Sequence, residues 1–529
     1  MSIKRNGHEL SDMGPAQDVN ARVEGTCQRE YEDRLQLARL GKKSVLKRNF
    51  SFMTILGFSC AVLVTWEGSL MNFNLGLVNG GPAGMIYGFI MVWIGNLSVF
   101  STLSELVSMA PTSGGQYHWV SMLAPRSCSK FLSYTTGWLT LVGWQGTAVS
   151  GAYLAGSMLQ GLITFTIPSH SAKPWQVTLT VWGVVLIAVL VNTVVSSMVP
   201  KLEGMILVLH ILGFFAVFIS LVTFGSQGDT TDVFGTFRNG GNWPTQTLSC
   251  FVGLLGLMCE EVQNPSIAVP RSIMSSIAIN GAMGLAMLIA MNYGATDLDK
   301  AQESPTGYAF IEIFYQATGS KSGSAGMAAL IIFMTISAVV GVIATTSRMF
   351  WAFARDRGLP FWRTLSKVNT YTSVPVWAIS VTSVISCLLA LIDIGSSVAY
   401  NALVSVAISG LYSSYLIVAG LLLYRRCTKG FKLPDPSALP ALADTAGRAG
   451  QELIWGPWHI PGVFGIINNS FACIYLIFIW FFSFWPPATP VEASTMNFSV
   501  LMTGAVIAFS ILYYLARANR EYKGPIVEI

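Results

Sequence analysis

The chain is 529 residues long, 52% hydrophobic and 11% charged, with a net charge of +5 and a mean hydropathy of +0.56. Soluble domains carry roughly 25% charged residues, so the composition excludes a soluble protein and predicts an all-α polytopic membrane protein. The strands of a membrane barrel would read as short segments of alternating polarity, and no such segments occur.

A hydrocarbon core about 30 Å thick takes roughly 20 apolar residues per helical crossing. Residues 1–49 are polar, lack the short apolar core of a cleavable leader and read as a disordered tail. Candidate spans follow at 50–77, 83–109, 129–165, 174–197, 201–224, 246–259, 272–293, 325–354, 374–392, 396–424, 462–485 and 497–516, about twelve crossings. The transport core is thus 50–424. A loop at 425–461, irregular around Pro434, Pro436 and Pro440, precedes the last two spans (462–516) and a tail at 517–529. The segment 295–323 is polar enough for water and carries a short helix.

Basic residues are sorted by side. The first tail holds Lys42, Lys43, Lys47 and Arg48 among others, and further groups fall at Arg126 and Lys130, Lys201, Arg271, 355–367, 425–448 and 517–523. With twelve crossings all of these lie on one side, and the other side receives only Lys173, Arg238, Lys300 and Lys321. The positive-inside rule makes both termini cytoplasmic. This sorting explains the basic surplus without a nucleic-acid partner. Membrane lipids are the partners it implies, since the 42–48 cluster could also touch anionic headgroups.

Within the first span, Thr65-Trp66-Glu67-Gly68-Ser69 places a carboxylate where hydrocarbon is expected. A charge at bilayer depth costs several kcal/mol and marks a cavity or a solute path. Gly68 and Ser69 would let the helix open there. An internal polar strut is the alternative reading. The second span ends in Ser104-Glu105-Leu106, followed by Pro111-Thr112-Ser113-Gly114-Gly115, which suits either a hinge at an inner gate or a plain turn. In span eight Arg348 stands one to two turns inside the apolar limit. It could pair with Glu105 as part of that gate, or snorkel to the headgroups. The eight cysteines have neither the spacing of a disulfide framework nor that of a zinc site and read as structural, so no metal and no cofactor is expected. The histidines are scattered, which argues against a membrane enzyme.

These motifs resemble the fungal amino acid/choline permease family of the amino acid–polyamine–organocation superfamily, and the resemblance covers nearly the whole chain after the tail. It is carried by Thr65-Trp66-Glu67, Asn79-Gly80-Gly81-Pro82-Ala83-Gly84, 111–119, Glu260-Glu261-Val262-Gln263-Asn264-Pro265 with Val269-Pro270-Arg271, and 347–360. The family implies two inverted five-helix repeats plus two extra helices, with substrate held between broken helices one and six, and proton-coupled uptake at the plasma membrane. Carried over, residues 66–69 are the unwound part of helix one, with Gly68 and Ser69 offering backbone and hydroxyl groups. Glu67 matches an acidic position of the choline-permease-like branch. A carboxylate suits an ammonium group, and Trp66, Trp144 or Tyr153 could add cation–π contacts. For Trp144 and Tyr153, plain packing is the alternative. His210, in the middle of span five, is a candidate proton relay, with a structural histidine as the alternative.

Span six departs from the family pattern. Its 246–259 segment runs straight into Glu260 and Glu261, about a dozen residues short, which leaves roughly 22 Å of helix at 1.5 Å per residue. If it failed to cross, the 355–367 and 425–448 clusters would move outside against the charge rule, so it is predicted to cross by thinning the membrane or drawing on its flanks. A genuine deletion and a gene model that lost coding sequence are the two explanations, and the second is favoured. The sequence thus predicts a permease for a small amino-group solute, choline or an amino acid such as γ-aminobutyrate, working with protons by alternating access. A non-transporting nutrient sensor or an inactive variant is the alternative that the short span raises.

Overall fold

The computed structural model describes residues 52–196, 198–225, 228–258, 270–369, 374–396, 406–428, 430–432, 453–492 and 496–526. The tail 1–49, the central part of the 425–461 loop and the Glu260–Glu261 junction of span six lie outside them.

The first span is a broken helix, α1 (Phe52–Leu63), α2 (Thr65–Met71) and α3 (Phe73–Val78). Val64, between α1 and α2, takes the left-handed conformation at φ 48° and ψ 33°, which costs an L-residue about 1–2 kcal/mol. The break therefore falls before the Trp-Glu-Gly-Ser motif, and residues 66–69 are helical rather than unwound. Gly80 and Gly81, at φ 121° and 69°, turn the chain into α4 (Gly81–Met109), and α5 (Gln116–Leu123) follows. The next spans are α6 (Ser129–Thr166), α7 (Pro174–Thr193) and α8 (Val199–Phe224), with the short α9 (Thr230–Gly235) on the loop beyond. Span six is α10 (Gln246–Met258), 13 residues long.

The remainder comprises α11 (Pro270–Gly294), α12 (Leu298–Gln302), α13 (Ala309–Thr318), α14 (Lys321–Arg355), α15 (Trp362–Leu365), α16 (Val376–Gly395), α17 (Val406–Thr428) and α18 (Gly462–Phe482). The last span is α19 (Ser499–Tyr513), a π-turn (Tyr514–Ala518) and α20 (Asn519–Glu521). Among the described residues 10 helices are long and apolar enough to cross a membrane. The broken first span and the short α10 stand at the other two of the twelve positions read as spans in the sequence. The short helices α12 and α13 occupy the polar 295–323 segment, as expected.

Span one runs through the middle of the bundle. α1 packs on α8, α11 and α14, α2 packs on α11, and α3 packs on α10. The α3–α10 approach needs glycine, because a Cβ on Gly253 would collide with the carbonyl of Asn79. The Asn79 side chain ties the same corner down, accepting from Gly241 N at 3.1 Å and donating to Pro487 O at 2.7 Å.

The ends bearing Arg355, Arg425, Arg517 and Arg520 gather on one face, here the basic face. The chain after α20 is bound there. Tyr522 is fully buried, its hydroxyl 2.7 Å from that of Ser133, within an aromatic cluster of Tyr134, Phe353 and Tyr514. Ile526 N donates to Asp356 Oδ1 at 3.0 Å, and Tyr117 Oη donates to Asp356 Oδ2 at 2.7 Å. Burial, reinforced by the Asp356 carboxylate, pushes the Tyr117 phenol well above its usual range, so it stays a donor.

Gly253→Val should destabilise the purified protein by about 1–3 kcal/mol through overpacking. Gly420→Ala, where an added methyl meets nothing within 4 Å, should cause no loss. Thermal unfolding in detergent checks both.

Candidate functional site

With α1 packed against α8, Glu67 on α2 meets His210 in the middle of α8. Glu67 Oε1 lies 2.8 Å from His210 Nδ1, with the carboxylate sealed from solvent. Trp66 Nε1 also lies 3.2 Å from Nδ1 and donates to it when Nδ1 carries no proton, and the Trp66 ring meets Phe214 edge-on at 6.0 Å. On the other side of the imidazole, Nε2 is 2.9 Å from Asn280 Oδ1 on α11. Three spans thus converge on one buried polar network.

The network fixes where protons can sit. Asn280 presents an oxygen, so Nε2 carries a hydrogen and donates it. One further proton is then shared along the line between Nδ1 and Oε1. With that proton on Nδ1 the pair is imidazolium and carboxylate, and with it on Oε1 the pair is imidazole and carboxylic acid. Both forms are neutral as a unit, which makes the pair tolerable in a low-dielectric interior. Loss of the proton leaves a net negative site.

Glu67 Oε2 and Thr65 Oγ1 are also sealed, and neither has a hydrogen-bond partner among the described residues, while Asn280 also hydrogen-bonds Cys60. Buried polar groups are normally satisfied, so two orphans on the first turn of α2 single this place out as a candidate ligand contact. Gly68 and Ser69 do not contribute as expected. Gly68 N donates to Val64 O at 2.7 Å, Asn72 N takes up the Gly68 carbonyl at 2.9 Å, and Ser69 Oγ donates to Thr65 O at 2.9 Å. With α2 helical, those groups are bonded within its own ladder.

Trp144 and Tyr153 lie on α6, away from this network. Trp144 is buried, its carbonyl accepting from Thr346 Oγ1 on α14 at 3.2 Å. Tyr153 hydrogen-bonds Asp393 on α16, and the two residues line a cavity of about 440 Å³ with Pro174, Val177 and Ser396. Glu105 is fully buried, but its partner is Arg426 at the end of α17 and not Arg348. It also accepts from Ile460 N at 2.7 Å. The reason is packing: α4 lies against α17 and α18, which carries Glu105 to Arg426, while Arg348 stays half-buried on α14. The Arg426 guanidinium lies 4.5 Å over the Trp455 ring, and the Phe431 and His459 rings stack with that ring at centroid distances of 4.1 and 5.2 Å. Asn280 and Arg426 were missed in the sequence because an asparagine in an apolar span and one arginine of an Arg-Arg pair at a helix end carry no mark of their partners.

Residues 50–506 match the amino acid permease family. A choline transporter of Saccharomyces cerevisiae is 28% identical, the alignment covering 99% of this chain and 92% of the yeast protein. The amino-acid permease BAT1 of Arabidopsis thaliana is 26% identical over 94% of this chain and 96% of its own length. A GABA-specific permease of Saccharomyces cerevisiae is 25% identical over 94% of this chain and 86% of its own.

The ion-pair assignment at the basic face can be separated by double-mutant cycles. Glu105→Gln with Arg426→Met should show a coupling of about 0.5–3 kcal/mol, whereas Glu105→Gln with Arg348→Met should be additive within about 0.5 kcal/mol. Unfolding of the purified variants measures both.

Proposed function

The chain belongs to the amino acid permease family, and from that premise we propose that this multi-pass transmembrane transporter takes up a small ammonium-bearing solute, choline or an amino acid such as γ-aminobutyrate, together with protons across the plasma membrane. The observation that carries the reading is the division of labour on Glu67: Oε1 is held by His210, while Oε2 is sealed and has no partner among the described residues. One oxygen serves the proton and the other is free for a cationic head group. An ammonium at Oε2 favours the ionised carboxylate and so draws the shared proton from Oε1 onto Nδ1. Solute and proton are then held together on different atoms of one network.

Trp66 supplies the aromatic wall beside Glu67, which suits a quaternary amine as well as a primary one. Gly68 and Ser69 keep α2 helical beneath it. Trp144 and Tyr153 belong in this reading to the solute's route along α6 and not to the head-group contact. The basic face is the cytoplasmic one by the charge rule, with both termini on it. Alternating access rocks a bundle holding spans one and six against the rest. Glu105, clamped to Arg426, holds the inner end of α4, and Arg348, with no ion-pair partner among the described residues, is placed to meet a moving partner there.

Glu67→Gln should lower choline uptake by about a hundredfold or more while surface expression stays normal. Undiminished uptake would overturn the assignment of the site. His210→Asn should flatten the pH profile: wild-type uptake rises as external pH is lowered from about 7.5 to about 5.5, and the variant's does not. Tracer uptake in cells lacking their own choline carriers reads both.

A further inference from the structure

Glu203 has no part in the network described above, yet it is buried on α8 at 3% exposure. Its Oε2 is sealed and has no hydrogen-bond partner among the described residues. It stands two helical turns before His210, about 10 Å along the same face of the helix. Both groups therefore face α1. The two helices touch here: a Cβ on Gly57 would lie 3.2 Å from the Glu203 carbonyl oxygen and 3.3 Å from Leu207 Cβ. Glu203 is thus shut into the α1–α8 seam, between the Glu67–His210 pair and the basic face.

No described cation neutralises it. The ionisable side chains on the elements packed against α8 are Cys60 on α1, Arg271 and Tyr293 on α11, Glu312 and Tyr315 on α13, and Lys321, Arg348 and Arg355 on α14. Lys201 and His210 lie on α8 itself. None of them forms an ion pair with Glu203: His210 is paired with Glu67, and Glu312 with Lys300. An ionised carboxylate in such a place would bear a desolvation cost of several kcal/mol with no described charge to offset it, which favours the neutral acid while the seam is closed.

We propose that Glu203 is the inner proton station of the transport cycle, receiving the proton of the Glu67–His210 pair and releasing it to the cytoplasm. This rests on the proton-coupled reading given above. While the seam is closed, Glu203 holds a proton. When α1 and α8 part, water reaches the carboxyl, its O–H bond breaks and the proton leaves to cytoplasmic buffer. The seam closes again only after the carboxylate is reprotonated. The water admitted by the opening lets the shared proton on the Nδ1–Oε1 line cross the two turns to Glu203. The pair is left with one negative charge, which a proton from the outer side refills.

The test uses the full chain in proteoliposomes containing a pH-sensitive dye, with radiolabelled choline as the probe. In wild type, an inward proton gradient drives choline accumulation, and choline entry acidifies the lumen. Glu203→Gln is neutral in both states and closes the seam without a proton. It should lose gradient-driven accumulation and acidification by about tenfold or more, while choline–choline exchange falls by less than about threefold. Glu203→Asp should restore acidification, which a merely structural role would not predict. Acidification in Glu203→Gln at the wild-type rate would overturn the role of Glu203 alone. Wild-type vesicles that carry choline without acidification would overturn proton coupling itself and this role with it. Loss of exchange in both Glu203→Gln and Glu203→Asp, with normal size-exclusion profiles, would make Glu203 a structural residue and also overturn the proposal.

Discussion

Glu67 and His210 meet at 2.8 Å with no solvent on the carboxylate, and the bundle around them is arranged to make that contact tolerable. Removing Glu67 while His210 stayed protonated would leave an uncompensated buried charge, at about 3–5 kcal/mol. The contact therefore fixes more than a local hydrogen bond. It sets α2 against α8 in one rotation, because only that rotation aims the carboxylate at the imidazole. Asn280 then sets α11 by capping the far nitrogen. Three spans that are distant in sequence are held in register by one shared proton.

The break at Val64 belongs to the same constraint. A continuous helix through residues 52–78 would carry Glu67 on the face its own turn dictates. The left-handed step at Val64 frees α2 to take a different rotation from α1, and the bend at Asn72 does the same for α3. The strained residue is held from both sides, its N–H directed to Cys60 O and its carbonyl accepting from Gly68. The local conformational cost is outweighed by the placement of one side chain.

The spans were legible in the sequence because apolar length is a one-dimensional property: the boundaries of α4, α6, α7 and α11 fall within a few residues of the hydropathy reading. Glu67, Glu105 and His210 were legible as oddities for the same reason, being polar groups in apolar runs. Their partners were not. Glu67 and His210 lie 143 positions apart and Glu105 and Arg426 lie 321 apart, and no periodicity carries information over such separations. Arg348, one to two turns inside the apolar limit, reads from the sequence either as a partner for Glu105 or as an arginine that snorkels to the headgroups. The choice was made instead by which helices touch. The position of the helix break was misplaced toward Gly68 and Ser69 because glycine is the usual residue for a break, whereas here packing imposes it on a β-branched valine.

The segment after the last span has a consequence for how the molecule is made. Tyr522 completes an aromatic pocket whose other walls come from α6, α14 and the π-turn, and its hydroxyl meets a serine 389 positions earlier. During synthesis α5 and α6 emerge long before that ring exists. The groove beside Tyr134 and Phe353 must wait, lined with apolar surface, through the insertion of every later span. A nascent chain thus exposes an unfilled aromatic groove beside α6 until the segment carrying Tyr514 and Tyr522 arrives to close it.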